Sequence, residues 1–211
     1  MFNDTNIAIN PLAVLPPVKE PRRYTLAEYL RREENSSDLH EYYDGIITKL
    51  PMARTPHNRI STNVITALNN VLDAQDKDFD VLGGQQAVYL PAFNISVYPD
   101  VLVVSEVPLH WDNNQVLLIN PILIVEVLSR STRAYDRGDK FTKYKSLESL
   151  REYVLIDQKQ CYIESFYREE PTLWRNSIVK DLSESLYLKS LDCSIDLAKV
   201  YKRIVLKNKA A

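Results

Sequence analysis

Two carboxylates in the middle of the chain carry the first chemical signal. Glu126 stands inside Ile122–Leu128, an otherwise aliphatic run. In an extended strand side chains alternate, so Ile122, Ile124, Glu126 and Leu128 share one face and Leu123, Val125 and Val127 the other. A carboxylate buried there without a partner costs several kcal/mol, so the position demands a metal ion, a basic side chain or a raised pKa. An ion pair that serves only the fold meets the same demand. Asp100 opens the preceding strand directly after Pro99, whose fixed φ ends the loop and which lacks a ladder donor. Read alone it is a turn-capping aspartate. Neighbouring strands can bring the two acids together, and a divalent ion between them, magnesium or manganese, would make their like charges tolerable.

The elements that must position these acids follow from spacing. Thr25-Leu26-Ala27-Glu28 is a capping box that opens a short helix to about Glu34. Strands 40–43 and 46–50 flank Asp44-Gly45, which tolerates the positive φ of a type I′ turn. From Pro56 to about Gln75, Ile60, Val64, Leu68, Val71 and Leu72 recur at helical spacing. Strands are expected over 85–90, 100–105 and 122–128, the last covered on both faces. A helix over 136–149 with Phe141 and Tyr144 on its apolar side, a meander of strands over 151–156, 161–167 and 172–180, and a closing helix over 197–204 complete the reading. Helix, mixed sheet and crossover helix together predict an α/β fold, a mixed sheet flanked by helices.

At 211 residues the chain fits one domain over 24–211, preceded by an extended arm over 1–23 that carries Pro11, Pro16, Pro17 and Pro21. With 45% hydrophobic and 26% charged residues, disorder, collagen and coiled coil are excluded. Two cysteines are too few for a disulfide framework. The apolar run 122–128 is far short of a membrane span, so the expectation is a soluble cytoplasmic protein. The net charge of −2 hides a basic stretch: Arg130, Arg133, Arg137, Lys140, Lys143, Lys145 and Arg151 face only Asp136, Asp139 and Glu148. Such a segment attracts a polyanion or forms a solvated helix face with i,i+4 pairs.

Several motifs in order resemble one family. Pro99-Asp100-Val-Leu-Val-Val, Ile124-Val-Glu126-Val-Leu-Ser129-x-Ser131-Thr132, Asp136-Arg137-Gly-Asp-Lys140, Tyr144, and Glu152-Tyr-Val-Leu-Ile-Asp157 are similar to the Uma-two family of restriction endonucleases, placed in the PD-(D/E)XK nuclease superfamily. The hairpin with Glu41 and Asp44-Gly45, the Pro51 loop and His57 at a helix start match its N-terminal half. The similarity runs from about Tyr24 to Asp157.

The resemblance implies a restriction-endonuclease-like fold and a divalent-metal-dependent endonuclease that hydrolyses DNA phosphodiester bonds. Asp100 and Glu126 would hold magnesium or manganese, with the Val127 carbonyl as a further ligand. The superfamily lysine position is Leu128 here, and the family pattern offers Lys140 instead; the other reading of Lys140 is a surface pair with Asp136. Glu41 would complete the cluster or hold a second metal, unless it only faces Lys49 across the hairpin. His57 could touch phosphate or be structural. Ser129, Ser131 and Thr132 are expected to cap the following helix, and Asp157 and Tyr153 to fix the next strand. Arg130 replaces a usual proline and Val154 a usual tryptophan. Cutting both strands needs two sites, so a two-fold homodimer is expected. The alternatives are a binding or assembly module that kept the fold and lost cleavage, and metal-free hydrolysis by two carboxylates.

Overall fold

The capping box reads out as predicted. In this computed structural model, which describes residues 22–206 except Glu106 and Ser131, the Thr25 hydroxyl accepts from Glu28 N–H at 3.2 Å and Glu28 accepts from Thr25 N–H at 2.8 Å. Helix α1 (Leu26–Glu33) follows. Apart from Arg22 and Arg23, the expected arm lies outside the described residues.

Strands β1 (His40–Tyr43) and β2 (Ile46–Lys49) pair across the two-residue loop Asp44-Gly45, with φ of +42° and +99°. Both values are positive, as a type I′ turn requires. A Cβ on Gly45 would also stand 3.1 Å from the Arg23 Cβ. Gly45→Ala is therefore expected to cost about 1–2 kcal/mol, measured as a lower urea midpoint with an unchanged slope.

Helix α2 (Thr55–Ala74) buries Ile60, Val64, Ala67, Leu68 and Leu72. Then come β3 (Asp80–Gly83), β4 (Ala87–Leu90), β5 (Ile95–Val97), β6 (Val101–Val104), β7 (Leu117–Leu118) and β8 (Leu123–Leu128). A crossover of α3 (Arg133–Tyr135), a π-helical turn over Asp136–Lys140 and α4 (Phe141–Tyr144) leads to β9 (Glu152–Asp157). The antiparallel strands β10 (Ile163–Arg168) and β11 (Trp174–Val179), the pair β12 (Ser185–Leu188) and β13 (Cys193–Asp196), and α5 (Leu197–Val200) complete the chain.

The strands form sheets ordered β2-β1-β5-β4-β7, β11-β10-β9-β8-β6-β3 and β12-β13. Among the described residues only the β8–β9 and β4–β7 pairs are parallel. The six-stranded sheet is covered on both faces, as the aliphatic run in β8 requires. On one face Val101, Val103, Leu123, Val125 and Val127 pack with α2, α5 and the β12–β13 pair. On the other Leu102, Val104, Ile124, Leu128 and Leu155 meet the five-stranded sheet and the crossover. Among the described residues no helix is long and apolar enough to cross a membrane.

Two helices are shorter than the spacing predicts. The helix expected over 136–149 ends at Tyr144, because the Arg168 guanidinium donates to the carbonyls of Lys145, Leu147 and Glu148 and so satisfies the acceptors of a chain leaving the helix. The closing helix stops at Val200 and turns through Arg203 at φ +61°. Strands β3, β5, β7, β12 and β13 lie outside the expected set.

Candidate functional site

The site is built where β6 and β8 diverge. Continuing the Val101↔Val125 pairing by one residue sets Asp100 across from Glu126. Asp100 Oδ2 accepts from the Val127 N–H at 2.6 Å. In an extended strand the N–H and carbonyl of one residue face the same edge, so the Val127 carbonyl also lies toward Asp100. Opposite it the register would place Pro99, which has no N–H to offer.

Glu126 lies on the face of Ile124 and Leu128, as alternation predicts, and is 4% exposed. Its Oε1 takes an ion pair from Lys140 Nζ at 2.7 Å and a hydrogen bond from the Tyr144 hydroxyl at 3.1 Å. Burial pushes its carboxyl well above the ordinary carboxylate range; Lys140 opposes that, and Asp100 and Asp136 add to it.

Lys140 is therefore no surface residue: it is 6% exposed, with Glu41 at 3.8 Å and Asp136 at 3.9 Å as further partners. Burial alone would lower its pKa, but these three acids outweigh it and hold the ammonium above its ordinary value. The π-helical turn puts Asp136 and Lys140 on one side of the crossover, facing β8. Such turns recur at functional sites.

Glu41 enters from the hairpin. Its cross-strand neighbour is Thr48, and Lys49 pairs instead with Asp38 at 2.6 Å, so the hairpin partnership with Lys49 does not form. The Tyr43 hydroxyl donates to Glu41, and the Tyr135 hydroxyl donates to Tyr43 at 3.1 Å. His57, in the first turn of α2, brings Nε2 to 3.2 Å from Asp100 Oδ2, while its buried Nδ1 has no hydrogen-bond partner. Burial would lower the His57 pKa, but the Asp100 carboxylate reverses the sign and raises it.

Asp136, which the sequence offers as part of the Asp136–Lys140 motif and as the partner of Lys140 but not as a site residue, is a buried member of this cluster, with its carboxyl pKa raised by burial. The signal available was its i,i+4 spacing to Lys140. Other residues serve the fold. Ser129 and Thr132 bond reciprocally at the start of the crossover, Thr132 N–H to Ser129 Oγ at 3.1 Å. Ser131 lies outside the described residues. Asp157 pairs with Arg133 and accepts from Lys159 N–H at 2.8 Å. The Tyr153 hydroxyl donates to the Asp136 carbonyl at 2.9 Å, and Leu128 is 1% exposed in the core.

Four carboxylates, Glu41, Asp100, Glu126 and Asp136, thus gather around one lysine and one histidine. Asp100 Oδ1 and Glu126 Oε2 have no protein partner among the described residues. Among the described residues no three His, Cys, Asp or Glu side chains form a ready-made cage. Magnesium needs none: it is commonly held by one or two carboxylates while keeping several waters. Excess negative charge and two uncommitted carboxylate oxygens fit such an ion.

Known proteins supply the context. The family profile described as "Putative restriction endonuclease" matches residues 26–198. An uncharacterized protein of Synechocystis, sll1609, is 36% identical over 145 residues, 69% of this chain and 80% of that one. A second, slr1290, is 31% identical over 198 residues, 93% and 97% of the two chains. A solved structure of a putative nuclease belonging to DUF820 from Anabaena variabilis superposes with a TM-score of 0.67 at 17% identity, covering 86% of this chain and 99% of that chain. That likeness shows the fold, a mixed α/β architecture shared with that protein. With its profile spanning most of the sequence, the chain belongs to the Uma2 family of putative restriction endonucleases.

Proposed function

We propose that the protein is a divalent-metal-dependent endonuclease that hydrolyses DNA phosphodiester bonds. The observation that carries the reading is the convergence of Asp100 and Glu126, each with a free carboxylate oxygen, beside a buried lysine. Asp100, Glu126 and the Val127 carbonyl would hold magnesium or manganese. When bound, the ion supplies charge neutralisation at the scissile phosphate and eases deprotonation of the attacking water.

The chain's own groups do the rest. An ammonium has three N–H donors. One serves Glu126, and the 3.8 and 3.9 Å separations from Glu41 and Asp136 exceed hydrogen-bond length. Two donors remain to orient a water or a non-bridging phosphate oxygen, the preorganised charge that phosphate transfer requires. Tyr43 fixes the Glu41 carboxylate, which faces that ammonium and can take up a proton from the attacking water. His57 anchors Asp100.

The test is supercoiled plasmid incubated with magnesium or manganese: nicked and linear products are expected with metal and none in excess chelator. One observation favours a second reading. Lys140 already neutralises Glu126, so the fold needs no metal there, and a protein that binds DNA but never cuts it with either ion would be an assembly or binding module. Light scattering at micromolar concentration tests the two-fold dimer that double-strand cutting calls for.

A further inference from the structure

Away from the carboxylate cluster, the described residues leave a groove of about 480 Å³ between α2 and the turn after α5. Its walls carry Arg59, Lys202 and Arg203, with the hydroxyls of Thr55 and Thr62, and no lining side chain is acidic. The groove is built. Arg59 donates to the Arg203 carbonyl at 2.7 Å, and Asn63 donates to the carbonyls of Val200 and Lys202 at 2.9 and 3.0 Å, so the turn is pinned to the helix. Both contacts use main-chain acceptors on the turn, and among the described residues no carboxylate pairs with Lys202 or Arg203. All three basic side chains are exposed.

We propose that this groove binds the DNA sugar–phosphate backbone on one flank of the scissile bond. The proposal rests on the nuclease reading and extends it to a second contact surface. The groove begins on the first turn of α2, the same turn that sends His57 to Asp100. From Thr55 to Asn63 the helix rises about 12 Å, the axial run of roughly three to four nucleotides in one B-form strand. Arg59 on the helix and the adjacent Lys202 and Arg203 on the turn offer three positive charges to the phosphates of such a segment and carry no base-reading pattern, so the contact sets affinity and position without setting sequence preference. It also places the basic surface outside the acidic centre, which repels DNA when no metal is bound.

The test is fluorescence anisotropy of a labelled DNA duplex with the full chain in chelator, over a range of salt concentrations. Parent protein is expected to bind. The variant Arg59→Gln/Lys202→Gln/Arg203→Gln is expected to bind roughly tenfold or more weakly, with the slope of log K against log salt reduced by about three. Arg31→Gln/Lys180→Gln/Lys189→Gln, with three exposed charges elsewhere, is the control. Equal losses in both variants, or parent-like binding in the groove variant, would overturn the groove while plasmid cutting by the parent kept the nuclease reading intact. Parent protein that neither binds nor cuts would remove both. Loss of the Arg59 bond to the Arg203 carbonyl is expected to lower the thermal midpoint of the groove variant slightly, so binding is measured at a temperature where all three proteins stay folded.

Discussion

Lys140→Ala is expected to lower stability by about 3–5 kcal/mol, because it leaves Glu126, Glu41 and Asp136 facing one another in a buried space with their only lysine gone. For a chain of this size that is a drop of roughly 6–20 °C in thermal midpoint. A surface i,i+4 pair would give only about 0.3–0.5 kcal/mol, so burial decides between the two readings of this residue. Metal-dependent cleavage should fall ~100-fold or more in conditions where the variant stays folded, since a preorganised charge aimed at the phosphate is lost. Lys143, whose ammonium lies over the Tyr43 and Tyr135 rings at 5.5 Å, is the control on the same crossover. If Lys140→Ala melts and cuts like Lys143→Ala, the buried ion-pair account is wrong.

Asp100→Asn and Glu126→Gln should separate chemistry from folding. Each amide keeps the shape and an acceptor oxygen, so Val127 N–H and the Tyr144 hydroxyl retain their partners. Each removes one charge from the proposed ion site, and cleavage should fall at least ~100-fold. Glu126→Gln also frees Lys140 to Glu41 and Asp136, so its stability should fall less than that of Lys140→Ala. Plasmid nicking timed alongside thermal unfolding measures both. Retained cleavage in either amide variant would exclude that carboxylate from the reaction.

The parts of this site that one strand or one turn dictates were legible in the sequence. Alternation in β8 fixed the face of Glu126, and Pro99 marked the start of β6 and with it the place of Asp100. Gly45 marked the hairpin that delivers Glu41. What could not be read depends on groups distant in the chain. Asp136 and Lys140 have the spacing of an exposed pair, and their burial depends on groups distant in the chain: Glu41 and Glu126 beside the ammonium, and Tyr153, whose hydroxyl holds the Asp136 carbonyl. The crossover helix has its apolar spacing past Tyr144, yet Arg168, more than twenty residues on, takes the carbonyls that would have continued it. Strands β5 and β7 have three and two residues, too few for a period of two to stand out. His57 looked like an ordinary helix-start residue because its partner, Asp100, lies on another element.

The most direct test of the account is calorimetric titration of manganese into the parent protein and into Asp100→Asn and Glu126→Gln, with no DNA present. A shared ion predicts a single saturable site in the parent and its loss in both variants, while circular dichroism stays unchanged. Binding that persists with parent affinity in both variants would contradict it, and would mean that the two carboxylates do not hold a metal together.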